Sequence, residues 1–237
     1  MSGHSSPEPK VSPVELFFDL VFVYAITQVT TLLLSDLSPL GFVRSGLALF
    51  MIWWAWSLYT WMANAIGPSG RATRAGILVA TVPTFMMAFT LPGLFRDTAL
   101  WFGGSYFVVR ELGLLLYWIF LSHDREHRSG LRLFVPYASL APTLVLAGGF
   151  VSAETRTLLF AAAMGIDVLG ALSSGRGLFR ISAAHFAERY GLIVIIAMGE
   201  SVIAIGIGAG QAHCDAWLLG GITVMLLGVI ALFWSYF

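Results

Sequence analysis

Two stretches of this chain set carboxylates inside runs of apolar residues. The first is Val14-Glu15-Leu16-Phe17-Phe18-Asp19-Leu20-Val21-Phe22-Val23. The second runs from His185 through Glu188 and Arg189 to Gly199-Glu200-Ser201. A charged side chain at the centre of a bilayer costs about 2.5–3.5 kcal/mol on insertion scales, so it turns toward a protein interior or a wet cavity. The chemistry open to it there is the binding of a proton, a cation or a guanidinium. Glu15 and Asp19 are four residues apart and share one helix face. With Phe22 and Ile26 they form a stripe roughly 60° wide at a helical period. Two carboxylates so close resist double ionisation. They are expected either to share or bind a proton, or to pair with an arginine on a neighbouring helix.

Arg110 and Glu111 fall in the middle of another apolar run, too deep to snorkel to an interface. Being adjacent, they point about 100° apart. Arg110 is expected to clamp a carboxylate on another helix, with Asp19, Asp167 and Glu200 as candidates. Asp167 sits among small neighbours in Ala163-Met164-Gly165-Ile166-Asp167, which suits close helix approach or a file of water. In the second stretch His185, Arg189 and Glu200 share a face, and Glu200 lies eleven residues beyond Arg189, about 16 Å by helical rise. A basic mouth with a deep acid describes a pathway better than one compact site. Glu15, Asp19, Glu111, Asp167 and Glu200 then stand against Arg110 alone. That imbalance argues for proton or cation handling along a polar path that also takes in His185, Glu188 and Arg189.

The elements that must position these groups are membrane helices. The chain has 237 residues, 58% hydrophobic and 11% charged, with a mean hydropathy of +0.84. A soluble domain is about 45–50% apolar and about 25% charged. The excess is spread along the chain, so the class is an all-α, polytopic membrane helix bundle. Eight spans are predicted, at about 14–34, 41–63, 75–95, 99–121, 131–150, 155–173, 187–209 and 216–237, after a polar tail over 1–13. Loop arginines and lysine favour the amino-terminal side, with Lys10, Arg71, Arg74, Arg125, Arg128, Arg132, Arg176 and Arg180 against Arg44, Arg96 and Arg156. By the positive-inside rule the amino terminus is cytoplasmic. The abrupt apolar ending at Phe237 reads as a fragment of something longer. Zero net charge excludes a nucleic-acid surface, and the single cysteine, Cys214, excludes a multi-thiolate metal site. No phosphate loop, nucleophile elbow or zinc-binding helix motif is present, so no cofactor and no enzyme activity is expected. The expected partners are the lipid bilayer and a proton or small cation, with oligomerisation left open.

Glu15-Leu16-Phe17-Phe18-Asp19-Leu20-Val21-Phe22-Val23 followed by Ala25-Ile26-Thr27-Gln28 resembles the opening helix of the bacterial low-temperature-requirement A (LtrA) family. His185-Phe186-Ala187-Glu188-Arg189-Tyr190-Gly191-Leu192 with Gly199-Glu200-Ser201 resembles its second hallmark. Trp53-Trp54-Ala55-Trp56 with Thr60-Trp61 and Asn64 fits the same pattern. The resemblance implies a multi-pass protein of the bacterial inner membrane, linked by name to growth in the cold and longer than this chain. The Phe-Phe-Asp opening also bears a loose likeness to the Phe-Ser-Asp helix of a cation-channel family. Three readings follow: movement of protons or small cations, a non-catalytic membrane component supporting cold adaptation, and an intramembrane enzyme. Only the acid and histidine content stands behind the third.

Overall fold

The computed structural model describes residues 12–66, 71–121, 125–173, 183–210 and 213–237. Among them are eight helices long and apolar enough to cross a membrane. They are α1 (Pro13–Ser35), α2 (Pro39–Ile66), α3 (Arg71–Thr90), α4 (Ala99–Leu121), α5 (Arg125–Ala147), α6 (Ala153–Ser173), α7 (Ala183–Gly210) and α8 (Ala216–Tyr236), with short 3-10 turns over Leu91–Gly93 and Gly148–Phe150. The described residues contain no strand. Lipid offers no partner for backbone N–H and C=O groups, and helices satisfy them internally. Pro83 in α3 and Pro136 and Pro142 in α5 lie inside helices; Pro142 frees the Ala138 carbonyl, which accepts from Arg110 Nη2 at 3.4 Å.

The chain divides into two compact units, Met1–Arg189 and Tyr190–Phe237. Within the first, α4 packs against α2, α3 and α5, α1 against α2 and α3, and α6 against α5 and α2. The core is aromatic and aliphatic: Phe18, Phe22, Tyr59, Phe102 and Phe160 have no exposed surface. The second unit holds the rest of α7 and all of α8. Asp215 caps α8 by accepting from Leu218 N–H at 2.8 Å.

α1 begins at a capping box. Ser12 Oγ accepts from Glu15 N–H at 3.4 Å, and Glu15 Oε2 accepts from Ser12 N–H at 2.8 Å, with Pro13 next to the cap. Two orphan donors are thereby satisfied and the entry of α1 is fixed. At the other end Asp36 Oδ1 accepts from Ser38 N–H at 3.0 Å, and Ser38 Oγ from Gly41 N–H at 3.1 Å. The Ser38 hydrogen bonds hold the Asp36 carboxyl below its ordinary range.

α4 meets the end of α5 and the turn that follows it at backbone contact. A Cβ on Gly103 would stand 2.9 Å from Val145 O and 3.0 Å from Leu146 Cα, and one on Gly149 would stand 2.8 Å from Leu100 Cα. Backbone cannot yield as a side chain can. We therefore expect Gly103→Leu to destabilise the protein by about 1–3 kcal/mol, the range for overpacking. Thermal unfolding in detergent measures it. Gly46→Leu, with nothing within 4 Å of its Cβ, is the matched control and should change little.

α3 and α5 start four and six residues before the apolar windows read from sequence, because Arg71, Arg74, Arg125 and Arg128 extend the helices as polar turns.

Candidate functional site

Among the described residues, two clusters of buried ion pairs stand in the first unit. The first joins α1, α2 and α7. Asp19 and Arg189 each lie six residues past the first residue of their helices, about 9 Å along the axis. Arg189 Nη2 donates to Asp19 Oδ1 at 2.7 Å and Nε to Asp19 Oδ2 at 3.4 Å. Its Nη1 donates to Glu15 Oε1 at 3.4 Å. Trp56 Nε1 from α2 donates to Asp19 Oδ1 at 2.8 Å, and the Arg189 guanidinium lies 5.9 Å from the Trp56 ring centroid. Glu15, Asp19 and Arg189 are exposed by 1%, 0% and 1%, so this is an interior ion cluster. One guanidinium bridges two carboxylates four residues apart on one helix face. Its bond to Asp19 is short and in part doubled, and its bond to Glu15 is long.

The second cluster joins α4, α5 and α6. Arg110 lies eleven residues past the start of α4 and eleven before its end, about 16 Å from either. Its Nη1 and Nη2 donate to Asp167 Oδ2 and Oδ1 at 2.8 and 2.7 Å, a bidentate pair. Nη1 also donates to Tyr106 Oη at 2.8 Å and Nη2 to the Ala138 carbonyl at 3.4 Å. Arg110 Nε is buried and has no hydrogen-bond partner among the described residues. Of the three carboxylates that sequence offered to Arg110, the structure selects Asp167.

α2 stands beside both clusters. Three residues after Trp56, Tyr59 donates from Oη to the Val109 carbonyl at 2.7 Å, next to Arg110 in α4. The Tyr59 ring reaches α4 because residue 113 is glycine: a Cβ there would meet Tyr59 Cε2 at 3.2 Å and Leu58 Cδ2 at 2.9 Å.

Glu111 and Glu188 belong to neither cluster. Glu111 accepts from Ser139 Oγ at 3.2 Å through Oε2, while its Oε1 is buried without a hydrogen bond among the described residues. Glu188 is exposed on α7. Glu200 is half-buried in the second unit, with no ion pair among the described residues. His185 belongs to α7, and its side chain lies outside the described residues, as do Lys10, Arg176 and Arg180.

The expected count of five interior acids against Arg110 needs correction. Arg156 and Arg189 are also interior, exposed by 5% and 1%. Both stand near helix ends, where a long side chain can turn inward as readily as snorkel outward. Arg156 donates to the carbonyls of Gly148, Leu94 and Val151 at 2.8, 3.0 and 3.0 Å. It thereby ties together the turns that end α3 and α5. Residues that sequence reasoning did not assign to the clusters are Trp56, Tyr106, Tyr59 and the cap residue Ser12. Only Ser12 had a readable signal, the Ser-x-x-Glu spacing before an apolar run.

Among the described residues no group of three or more His, Cys, Asp or Glu is placed to hold a metal ion. What the arrangement can do is hold carboxylates away from water against guanidinium groups that compete with a proton or cation for them.

Eight apolar helices among the described residues, with ion pairs turned inward, define a polytopic α-helical membrane protein. The chain belongs to the bacterial low temperature requirement A (LtrA) family, whose model matches residues 10–237. It is 27% identical over 247 residues to an uncharacterized protein of Rhizobium meliloti (strain 1021), an alignment that covers 98% of this chain and 59% of the relative. The chain thus spans 59% of that relative's length. No solved structure matches.

Proposed function

We propose that this protein moves protons or a small cation across the bacterial inner membrane, with its amino terminus cytoplasmic, and carries out no covalent catalysis. The observation that carries this reading is Asp19, fully buried on the first span and sharing the Arg189 guanidinium with Glu15. Intramembrane carboxylates are expensive to bury, and they mark ion routes and proton relays in other membrane proteins. A proton or cation arriving at Asp19 competes with Arg189, which can fall back on Glu15. That exchange is a two-position switch built from three side chains. Arg110–Asp167 supplies a fixed charge pair deeper in the bundle, and the orientation follows from the excess of loop cations on the amino-terminal side.

The test is flux. The full-length protein in liposomes under a pH or potassium gradient, followed with a pH-sensitive dye, should pass ions. Asp19→Asn should slow the flux by about a hundredfold, the range for removing a positioned proton-transfer group. Absence of flux in the wild type, or an unchanged rate in Asp19→Asn, overturns the reading.

A second reading, a non-catalytic membrane component that supports growth in the cold through helix packing or partner binding, draws on the Arg110–Asp167 pair. Both Nη groups are bonded, as in a structural clamp. Full cold growth of cells carrying Asp19→Asn, together with absent flux, would favour it.

A further inference from the structure

A cavity of about 230 Å³ opens beside Arg110 in the first unit, walled by Trp53, Trp54, Trp61, Tyr117 and Phe134. Rings fix its walls: Trp54 stacks on Phe50 at 5.1 Å, Trp53 tilts against Trp56 at 5.0 Å, and Trp61 against Phe186 at 4.9 Å. An apolar cavity of about 150 Å³ is enough to hold benzene, so this one takes a substituted ring. Among the described wall residues Arg110 alone is charged, and its buried Nε–H has no hydrogen-bond partner among the described residues. A buried donor left unmade is expensive, and a ligand acceptor relieves that cost.

The charge of Arg110 is already met by Asp167 at 2.7 and 2.8 Å. An anion entering here would face that carboxylate, so the remaining N–H suits a neutral acceptor. Aromatic walls favour a flat ring by stacking. The depth of Arg110, about 16 Å from either end of α4, places the donor below the ester carbonyls of a diacyl lipid, which lie in the interfacial region. Trp53, one of the wall residues, is 37% exposed.

We propose that this cavity binds an uncharged, membrane-soluble quinone-type ring, with one ring carbonyl accepting from Arg110 Nε–H. The site shares Arg110 with the proposed ion path, but ring binding is read without flux and does not depend on it.

The purified full-length protein in detergent is titrated with a benzoquinone bearing a saturated ten-carbon tail, and tryptophan fluorescence is read. Saturable quenching is expected. Ala171→Phe fills the cavity from α6, where Ala171 lines it, and leaves the Arg110–Asp167 pair in place. It should weaken binding at least tenfold. A cyclohexane with the same tail and no carbonyl should displace the quinone at least fivefold less well. Arg110→Lys, which keeps a cation opposite Asp167 and removes the Nε–H, should weaken binding several-fold. Three results overturn the proposal: equal quenching in Ala171→Phe, equal displacement by the carbonyl-free ring, or quenching by a chain-brominated diacyl lipid that the quinone does not relieve. The first marks simple partition into the micelle, and the third marks a lipid-chain site.

Discussion

Arg189→Gln should leave the purified protein less stable by about 3–5 kcal/mol, the range for removing one partner of a buried ion pair. The cause is the pair of carboxylates left behind. Asp19 and Glu15 are 0% and 1% exposed, and Arg189 donates to both. A double variant, Arg189→Gln with Asp19→Asn, should regain most of the loss, because the charge that needed compensation is gone. Glu15→Gln alone should cost much less than Asp19→Leu. Its bond to Arg189 is 3.4 Å against 2.7 Å for Asp19, and an amide oxygen can still accept from Ser12 N–H. Thermal unfolding of each variant in one detergent, read as loss of the monodisperse peak, decides the order. Additive single and double effects would mean that Arg189 and Asp19 are not coupled, contrary to the geometry.

The second large effect is at Arg110. Arg110→Met strands Asp167, which is 2% exposed, and should cost about 3–5 kcal/mol. Arg110→Met with Asp167→Leu replaces the pair by apolar side chains of similar bulk and should recover near wild-type stability, since a buried pair is often no better than a packed apolar one. Tyr106 and the Ala138 carbonyl lose a donor in both variants, so recovery should fall short by about 1 kcal/mol. In the double variant, cells that keep cold growth would assign the pair to packing. Cells that fold the protein yet lose growth would assign it to function.

The helical membrane class was legible because bilayer thickness imposes a length that composition reveals. Helix starts were less so. The apolar window reports where hydrocarbon begins, and α3 and α5 continue past it through Arg71, Arg74, Arg125 and Arg128. The face shared by Glu15 and Asp19 follows from the 3.6-residue period and holds in α1. Their cation does not follow from any period. Arg189 is 170 residues from Asp19 in sequence, and the inward turn of its side chain depends on how α7 meets α1. Asp167 was one of three acids that sequence allowed to Arg110, and tertiary packing of α4 on α5 and α6 made the choice. From sequence Arg156 reads as a loop cation, because its partners are carbonyls, which every residue carries and no motif announces.

Trp56 and Tyr59 stand three residues apart on α2, one bonded to Asp19 and the other to the Val109 carbonyl beside Arg110. Positions so spaced ride on the same side of a stiff rod. Rolling α2 to free the indole therefore also drags the phenol, so the span works as an axle whose two spokes turn together. Disturbances at either end of that axle should be felt at the other. Trp56→Phe and Tyr59→Phe are thus expected to show a combined penalty that differs from the sum of the separate ones.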